Sequence, residues 1–301
     1  MAELLSTNVN GSITIVSSNA ALIPSPPSNN ITVFGENYAN RVMLSVKGPS
    51  GLDSPLQYHF GHSKIAYWTP IGNATTVPLA FGTAAPTANG TATTRAVATT
   101  NIFTRTRRLG YVSATTANAA AGYRNTALQY STGTANTGEG GFFYIHRFGI
   151  TNGIPANPTM FIGLNNNTGA PANGVPNTTN SIGIGAAPGS NNLQLCYGGS
   201  TAQPRIDLGD TLRANVANDA IYQLTLFSPQ STANASNTVV HYHVTKTNNA
   251  GVFSNTGTIE GGSTILPSNT ILLGIQNWRS GGTSGTAVGL DLISLYIEAD
   301  Y

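Results

Sequence analysis

Two histidines, His241 and His243, stand two apart in a stretch whose other members, Val240, Tyr242 and Val244, are apolar or aromatic. On a β-strand that spacing puts both imidazoles on one face, where they could supply two ligands to zinc or another transition metal. No third His or carboxylate lies nearby in the sequence, so the expectation is a pair of solvent-facing or cross-strand histidines. No metal and no other cofactor is predicted. Glycan cleavage would need two carboxylates about 5–9 Å apart, one of them held protonated by apolar surroundings. The acidic candidates are Glu139, Asp207, Asp210, Asp219, Glu260 and Asp291. Asp207 and Asp210 flank Leu208-Gly209, which reads as a turn, and Asp219 opens a strand. Neither placement is a catalytic dyad, and no Gly-x-Ser-x-Gly elbow sits between a strand and a helix. No catalytic residue is assigned, and the chain is not expected to be an enzyme.

Arginines and aromatics offer binding chemistry instead. Arg105, Arg107 and Arg108 form one basic cluster in Phe103-Thr104-Arg105-Thr106-Arg107-Arg108-Leu109. Read as a strand, this places Arg105 and Arg107 on one face beside Phe103 and Arg108 on the other. Guanidinium groups suit phosphates or acidic sugars, but in a chain with few charges, pairing across a sheet or a subunit interface is the stronger expectation. Tyr67-Trp68 and Trp278-Arg279 each border a polar loop and are the candidate glycan contacts. Stacking on a sugar ring is one reading; a tryptophan anchoring a loop end on the core is the other, and the favoured one.

The elements that must position these residues are strands. Only 8% of the 301 residues are charged, against about 25% in a typical domain, and Gly, Asn, Thr and Ser punctuate many short apolar runs. The 13 basic and 11 acidic residues leave a net charge of +2, which gives no reason to expect nucleic acid or an anionic membrane as a partner. A single cysteine, Cys196, precludes an intrachain disulfide and suits synthesis in a reducing cytoplasm. The N-terminus has no signal-peptide pattern, and no apolar run is long enough to cross a membrane as a helix.

Residues 1–30 hold one strand-like piece, Ser12 to Val16, and a proline-rich run with Pro24, Pro26 and Pro27. So few apolar groups cannot build a core, so Ile13, Ile15 and these prolines are expected to be ordered by a partner. Ile31 to Phe34 and Val42 to Val46 read as a hairpin with a longer loop over Gly35 to Arg41. The stretch from Arg41 to Gln57, with Pro49 and Pro55, reads as an elbow. From residue 58 onward roughly ten short strand candidates recur. They include Ala96 to Ala98, Asn101 to Leu109, Gly141 to Ile150, Val239 to Lys246, Ile271 to Gln276 and Leu290 to Glu298. Phe142 to Phe148 is apolar on both faces and is expected to be a central strand. Ala114 to Gln129 is allowed one helical turn or an irregular connection into a strand over Tyr123 to Tyr130. The expected fold is all-β, with a short extended arm and β-hairpin over residues 1–57 and an antiparallel β-sandwich over 58–301.

Several of these stretches resemble a known group, the tailed-bacteriophage virion proteins of the tail-fibre, neck or head-appendage type. They are Arg41-Val42-Met43-Leu44 with Gly48-Pro49-Ser50-Gly51 and Pro55-Leu56-Gln57, Asn101 to Ser113, Gly141 to Gly149, Tyr197 to Gly209, and Gln276-Asn277-Trp278-Arg279. The resemblance spans nearly the whole chain. It implies a virion-anchoring N-terminus, a jelly-roll, lectin-like body, a homotrimer, and a place on the virion exterior after synthesis in the host cytoplasm. The partners it implies are other virion proteins through the arm and a host-surface glycan through the body. A capsid decoration or cement protein is the alternative, and a glycan-degrading tail spike the weaker one.

Overall fold

The computed structural model describes residues 17–18, 23–24, 26–27, 30–47, 53–55, 64–70, 86–133, 140–155, 157–171, 176, 178–230 and 237–299. The chain divides into two compact units, residues 1–59 and 60–301.

The first unit carries a sheet of β1 (Ser17–Ser18), β2 (Thr32–Tyr38), β3 (Arg41–Lys47) and β4 (Asp53–Pro55), in that order. β1 runs parallel to β2 and the other pairings are antiparallel. The hairpin loop is shorter than the sequence suggests. β2 continues through Gly35, Glu36 and Asn37 to Tyr38, and only Ala39 and Asn40 turn the chain. Both have positive φ, 50° and 66°, the backbone of the two-residue turn that matches strand twist. Phe34, Met43 and Ser45 are buried on one face. The proline run is tied to this hairpin, because Lys47 Nζ donates to the Ile23 carbonyl at 2.8 Å. Pro24 and Pro27 are exposed and Pro26 is half-buried. Ile13, Ile15, the strand expected over residues 12–16, and Pro49 lie outside the described residues.

The second unit is a two-layer antiparallel β-sandwich. Its strands are β5 (Lys64–Trp68), β6 (Thr87–Asn89), β7 (Thr91–Thr94), β8 (Leu109–Val112), β9 (Ala120–Arg124), β10 (Phe142–Asn152), β11 (Thr159–Asn165), β12 (Ser181–Ala186), β13 (Gln194–Gly198), β14 (Ile206–Asp207), β15 (Ile221–Ser228), β16 (Thr238–Asn248), β17 (Gly251–Gly261), β18 (Gly274–Ser280) and β19 (Val288–Ala299). The larger sheet runs β17-β16-β15-β10-β19-β8-β7, with β5 paired to a second stretch of β19. The smaller runs β14-β13-β12-β11-β18-β9-β6. The chain changes sheets between β6 and β7 at Gly90, whose φ is 75° and where any Cβ would collide with the Val112 carbonyl oxygen. Lys64 at the start of β5 lies opposite Ala299 at the end of β19.

β10 is the central strand its two apolar faces predict, flanked by β15 and β19. Phe142, Tyr144, His146 and Phe148 face the core between the sheets, and a bulge after Arg147 re-registers the strand against β19. This inner layer is apolar but holds polar groups that must be satisfied internally. Tyr144 Oη donates to Asn277 Oδ1 at 3.0 Å, the Gly163 amide donates to the same oxygen at 3.1 Å, and Tyr123 Oη is hydrogen-bonded to His146 Nε2.

Two expectations fail at one place. Asn101 to Leu109 is no strand: α1 (Ile102–Arg105) forms there, because Asn101 Oδ1 accepts from the Thr104 amide and Thr104 Oγ1 accepts from the Asn101 amide. That reciprocal cap closes a helical turn against the strand propensity of Ile and Phe. The arginines therefore scatter. Arg105 and Arg107 are exposed, while Arg108 turns inward, its Nε donating to Asp291 Oδ2 at 2.9 Å. Asp291 is fully buried and also accepts from Arg95 Nη2 at 3.1 Å and Thr151 Oγ1 at 2.8 Å. In place of a strand over Ala96 to Ala98, the chain forms β6 and β7 earlier, and Ala120–Arg124 precedes the expected Tyr123 to Tyr130 strand. Trp278 and Arg279 stand inside β18, which runs on to Ser280.

Asp291→Ala removes the shared acceptor of two guanidinium groups and should lower unfolding free energy by about 3 kcal/mol in urea titrations. Arg107→Ala, at an exposed position, should change it by less than about 0.5 kcal/mol. A second test uses His146, whose pKa burial pushes down to about 3 from 6.5. The folded chain keeps this imidazole neutral while the unfolded chain protonates it, so its contribution is complete above pH 6.5 and declines as pH falls toward 3. Thermal melts between pH 4 and 7 should show His146→Gln losing about one proton's worth of this acid sensitivity.

Candidate functional site

Of the four candidate glycan contacts, Trp68, Trp278 and Arg279 are buried. Trp68 is 2% exposed, and its ring meets Tyr123 edge-on at 5.5 Å between centroids. Trp278 packs with Phe161, Cys196 and Ala120 on the outer side of the smaller sheet. Arg279, the next residue on β18, points the opposite way into the core, where it has no solvent exposure and Nη1 donates to the Thr151 carbonyl at 2.9 Å. Burial pushes its pKa down to about 10. These side chains anchor the sandwich, which is the alternative the sequence favours for the tryptophans.

Tyr67 alone is open, 58% exposed. Register places it on the outer face of the larger sheet in a row with Tyr296, Ile145, Thr225, His243 and Thr256. Arg147, exposed and two residues along β10 from Ile145, shares that face. His241 and His243 also lie there, as their spacing predicts. His241 Nδ1 is 2.8 Å from Thr258 Oγ1, and desolvation lowers both histidine pKa values, favouring neutral rings at pH 7. Among the described residues, no group of three or more His, Cys, Asp or Glu is placed to hold a metal ion.

A more enclosed polar site forms at the edge of the smaller sheet, around the Asp207–Asp210 turn. β14 is only two residues long because the chain leaves it at once: Gly209, at φ 94°, donates its amide to Asp207 Oδ1 at 2.8 Å. Leu208 and Leu212 plug the turn into the core, with the Leu208 amide bonded to the Leu193 carbonyl at 3.0 Å and the Leu193 amide to the Leu212 carbonyl at 2.7 Å. These bonds bring the connection between β12 and β13 alongside. Its Asn192 points Nδ2 at both acids, 2.9 Å from Asp210 Oδ1 and 3.2 Å from Asp207 Oδ1. The result is an open basin of about 490 Å³ lined by Pro188, Asn192, Gln194, Asp207, Asp210 and Arg213, among others.

Its groups can pair with hydroxyls. Two carboxylates accept, amides both donate and accept, and a guanidinium donates. Both carboxylates are exposed, without the apolar enclosure that keeps a general acid protonated. The sequence locates the turn but not the basin. Asn192 and Gln194 reach it only through long-range strand pairing, and nothing in their local sequence marks them.

No protein-family model and no curated protein sequence matches the chain. The solved structures it is similar to include several lectins. Arcelin-5, a lectin-like defence protein from Phaseolus vulgaris, aligns at a TM-score of 0.45 and 11% identity, over 79% of this chain and 99% of that one. Peanut lectin in complex with a nine-residue peptide aligns at 0.42 and 13%, over 79% and 98%. A family 14 alginate lyase from Aplysia kurodai aligns at 0.38 and 10%, over 64% and 82%.

Trp278→Ala should open a cavity on the outer side of the smaller sheet and cost about 3 kcal/mol of stability. Urea titration against the parent chain checks this, and unchanged stability would show that the ring does not anchor this face.

Proposed function

We propose that the chain is a non-enzymatic structural protein of a bacteriophage virion, an exterior appendage that attaches through residues 1–59 and presents its sandwich to glycans of the host surface. The observation that carries this reading is a contrast between the two units. The small sheet leaves Ile31, Val33 and Val42 68%, 45% and 49% exposed. Val33 lies opposite Val46 and Val42 opposite Asn37, so one face of this hairpin is apolar and open. Such a face in so small a unit suits burial against another protein. The sandwich satisfies its own core and offers a polar basin suited to sugar hydroxyls. The likeness of the motifs from Arg41 to Gln57 and from Gly141 to Gly149 to those of virion proteins supports the setting. The solvent-open carboxylates of the basin favour holding a sugar over cleaving one.

The test has two arms. Asp207→Asn with Asp210→Asn should weaken binding to surface polysaccharide of the infected bacterium at least about tenfold, the loss of two charged acceptors, while the melting temperature stays near that of the parent chain. Val33→Asp with Val42→Asp should reduce incorporation into particles and leave polysaccharide binding intact. Shortening of the polysaccharide by the purified protein would overturn the non-enzymatic reading, and undiminished binding by the Asp variant would remove the basin as the site.

A further inference from the structure

The sandwich has one long open edge. β17 ends the larger sheet and pairs with β16 over its whole length, from Gly251 opposite Asn248 to Gly261 opposite Thr238, without a register shift. Among the described residues no strand pairs with its outward side: residues 251, 252, 254, 256, 258 and 260 are all exposed and those between them half-buried. An unpaired strand edge is a template for another strand. Proteins that keep such an edge solitary shorten it, bulge it, or place lysine or proline on it. β17 has eleven residues, no bulge, no proline and no lysine, and its one charge is Glu260.

The strand is also complementary to itself. In an antiparallel pairing of two copies centred on Thr256, Phe253 faces the partner's Ile259, Ser254 faces the partner's Thr258, Asn255 faces the partner's Gly257, and Thr256 faces its own counterpart. Aromatic with β-branched and Thr with Ser or Thr are stabilising cross-strand pairs. Ile259, which packs against the core, and Phe253, whose ring lies beside the Lys246 ammonium, are each half-buried and would cover one another. The two copies of Glu260 fall at opposite ends, each beside a Val252, so no like charges meet; a parallel pairing would set them together. Moving the centre to Asn255 or Gly257 places a glycine opposite Phe253, and a register shift by one residue turns inward side chains against outward ones.

We infer that β17 is a homodimerisation edge, at which two copies of this chain join their larger sheets into one continuous antiparallel sheet across a two-fold axis at Thr256. This goes beyond the appendage reading, does not depend on it, and replaces the three-fold assembly implied by the motif resemblance with a two-fold contact.

The test exploits the self-paired position. Thr256 is exposed on the outer face, so Thr256→Lys or Thr256→Glu should fold as the parent does, as checked by melting temperature. The parent chain should sediment as a dimer at micromolar concentration. Each variant alone should dissociate at least about tenfold more readily, because like charges would stand opposite one another. Mixing the two variants in equal amounts should restore the dimer. A monomeric parent, a dimer or trimer indifferent to both substitutions, or a mixture that stays monomeric would each overturn the proposal.

Discussion

A carboxylate with no access to water governs one face of the sandwich. Asp291 sits on the outer side of β19, and ionised it would be costly to bury alone. Arg95 and Arg108 reach it from two directions, the guanidinium of Arg108 lying 4.5 Å above the ring of Phe103. The surrounding chain makes room for them. Gly110 stands opposite Asp291, and a Cβ there would occupy the space that the Arg95 guanidinium fills. The capped turn of α1 delivers Phe103 into a small apolar cluster with Ile221 and Ile293. One charged cluster thus ties together the ends of β7 and β8, α1 and β19.

Much of this order is legible in the sequence because it follows from side-chain alternation. β10 betrays itself as central by being apolar on both faces, and β16 by being apolar on one. What stays hidden are features that alternation does not record. β17 escapes notice because Ser, Asn, Thr and Gly dominate it, the composition of a half-exposed edge. α1 depends on a reciprocal bond between Asn101 and Thr104, which outweighs the strand preference of the residues between. Gly35 and Asn37 have the chemistry of turn residues and so suggest too early an end for β2, when the turn is Ala39-Asn40. Tryptophan beside a polar loop suggests sugar stacking as readily as core anchoring, and only burial separates the two. The basin is half visible: Asp207 and Asp210 stand out in a chain poor in acids, whereas Asn192 joins them through pairings fifteen and more residues away.

The two units solve the problem of burial differently. The sandwich is large enough to enclose tyrosines, a histidine and an arginine and to give Tyr123, Tyr144, Tyr222, His146 and Arg279 at least one internal hydrogen bond each, and its surface is sparsely charged. The polar character of that surface comes mainly from hydroxyls and amides. The hairpin unit is too small to hide its valines on both faces.

The pairing of Lys64 with Ala299 has a consequence for where this body can be used. The first and last described strands of the sandwich lie side by side, one strand spacing of about 4.8 Å apart. A module built this way can be hung from a single tether or spliced into a loop of another chain without stretching either end. Whatever chain is joined at these two neighbouring strand ends leaves the far end of the sandwich untouched.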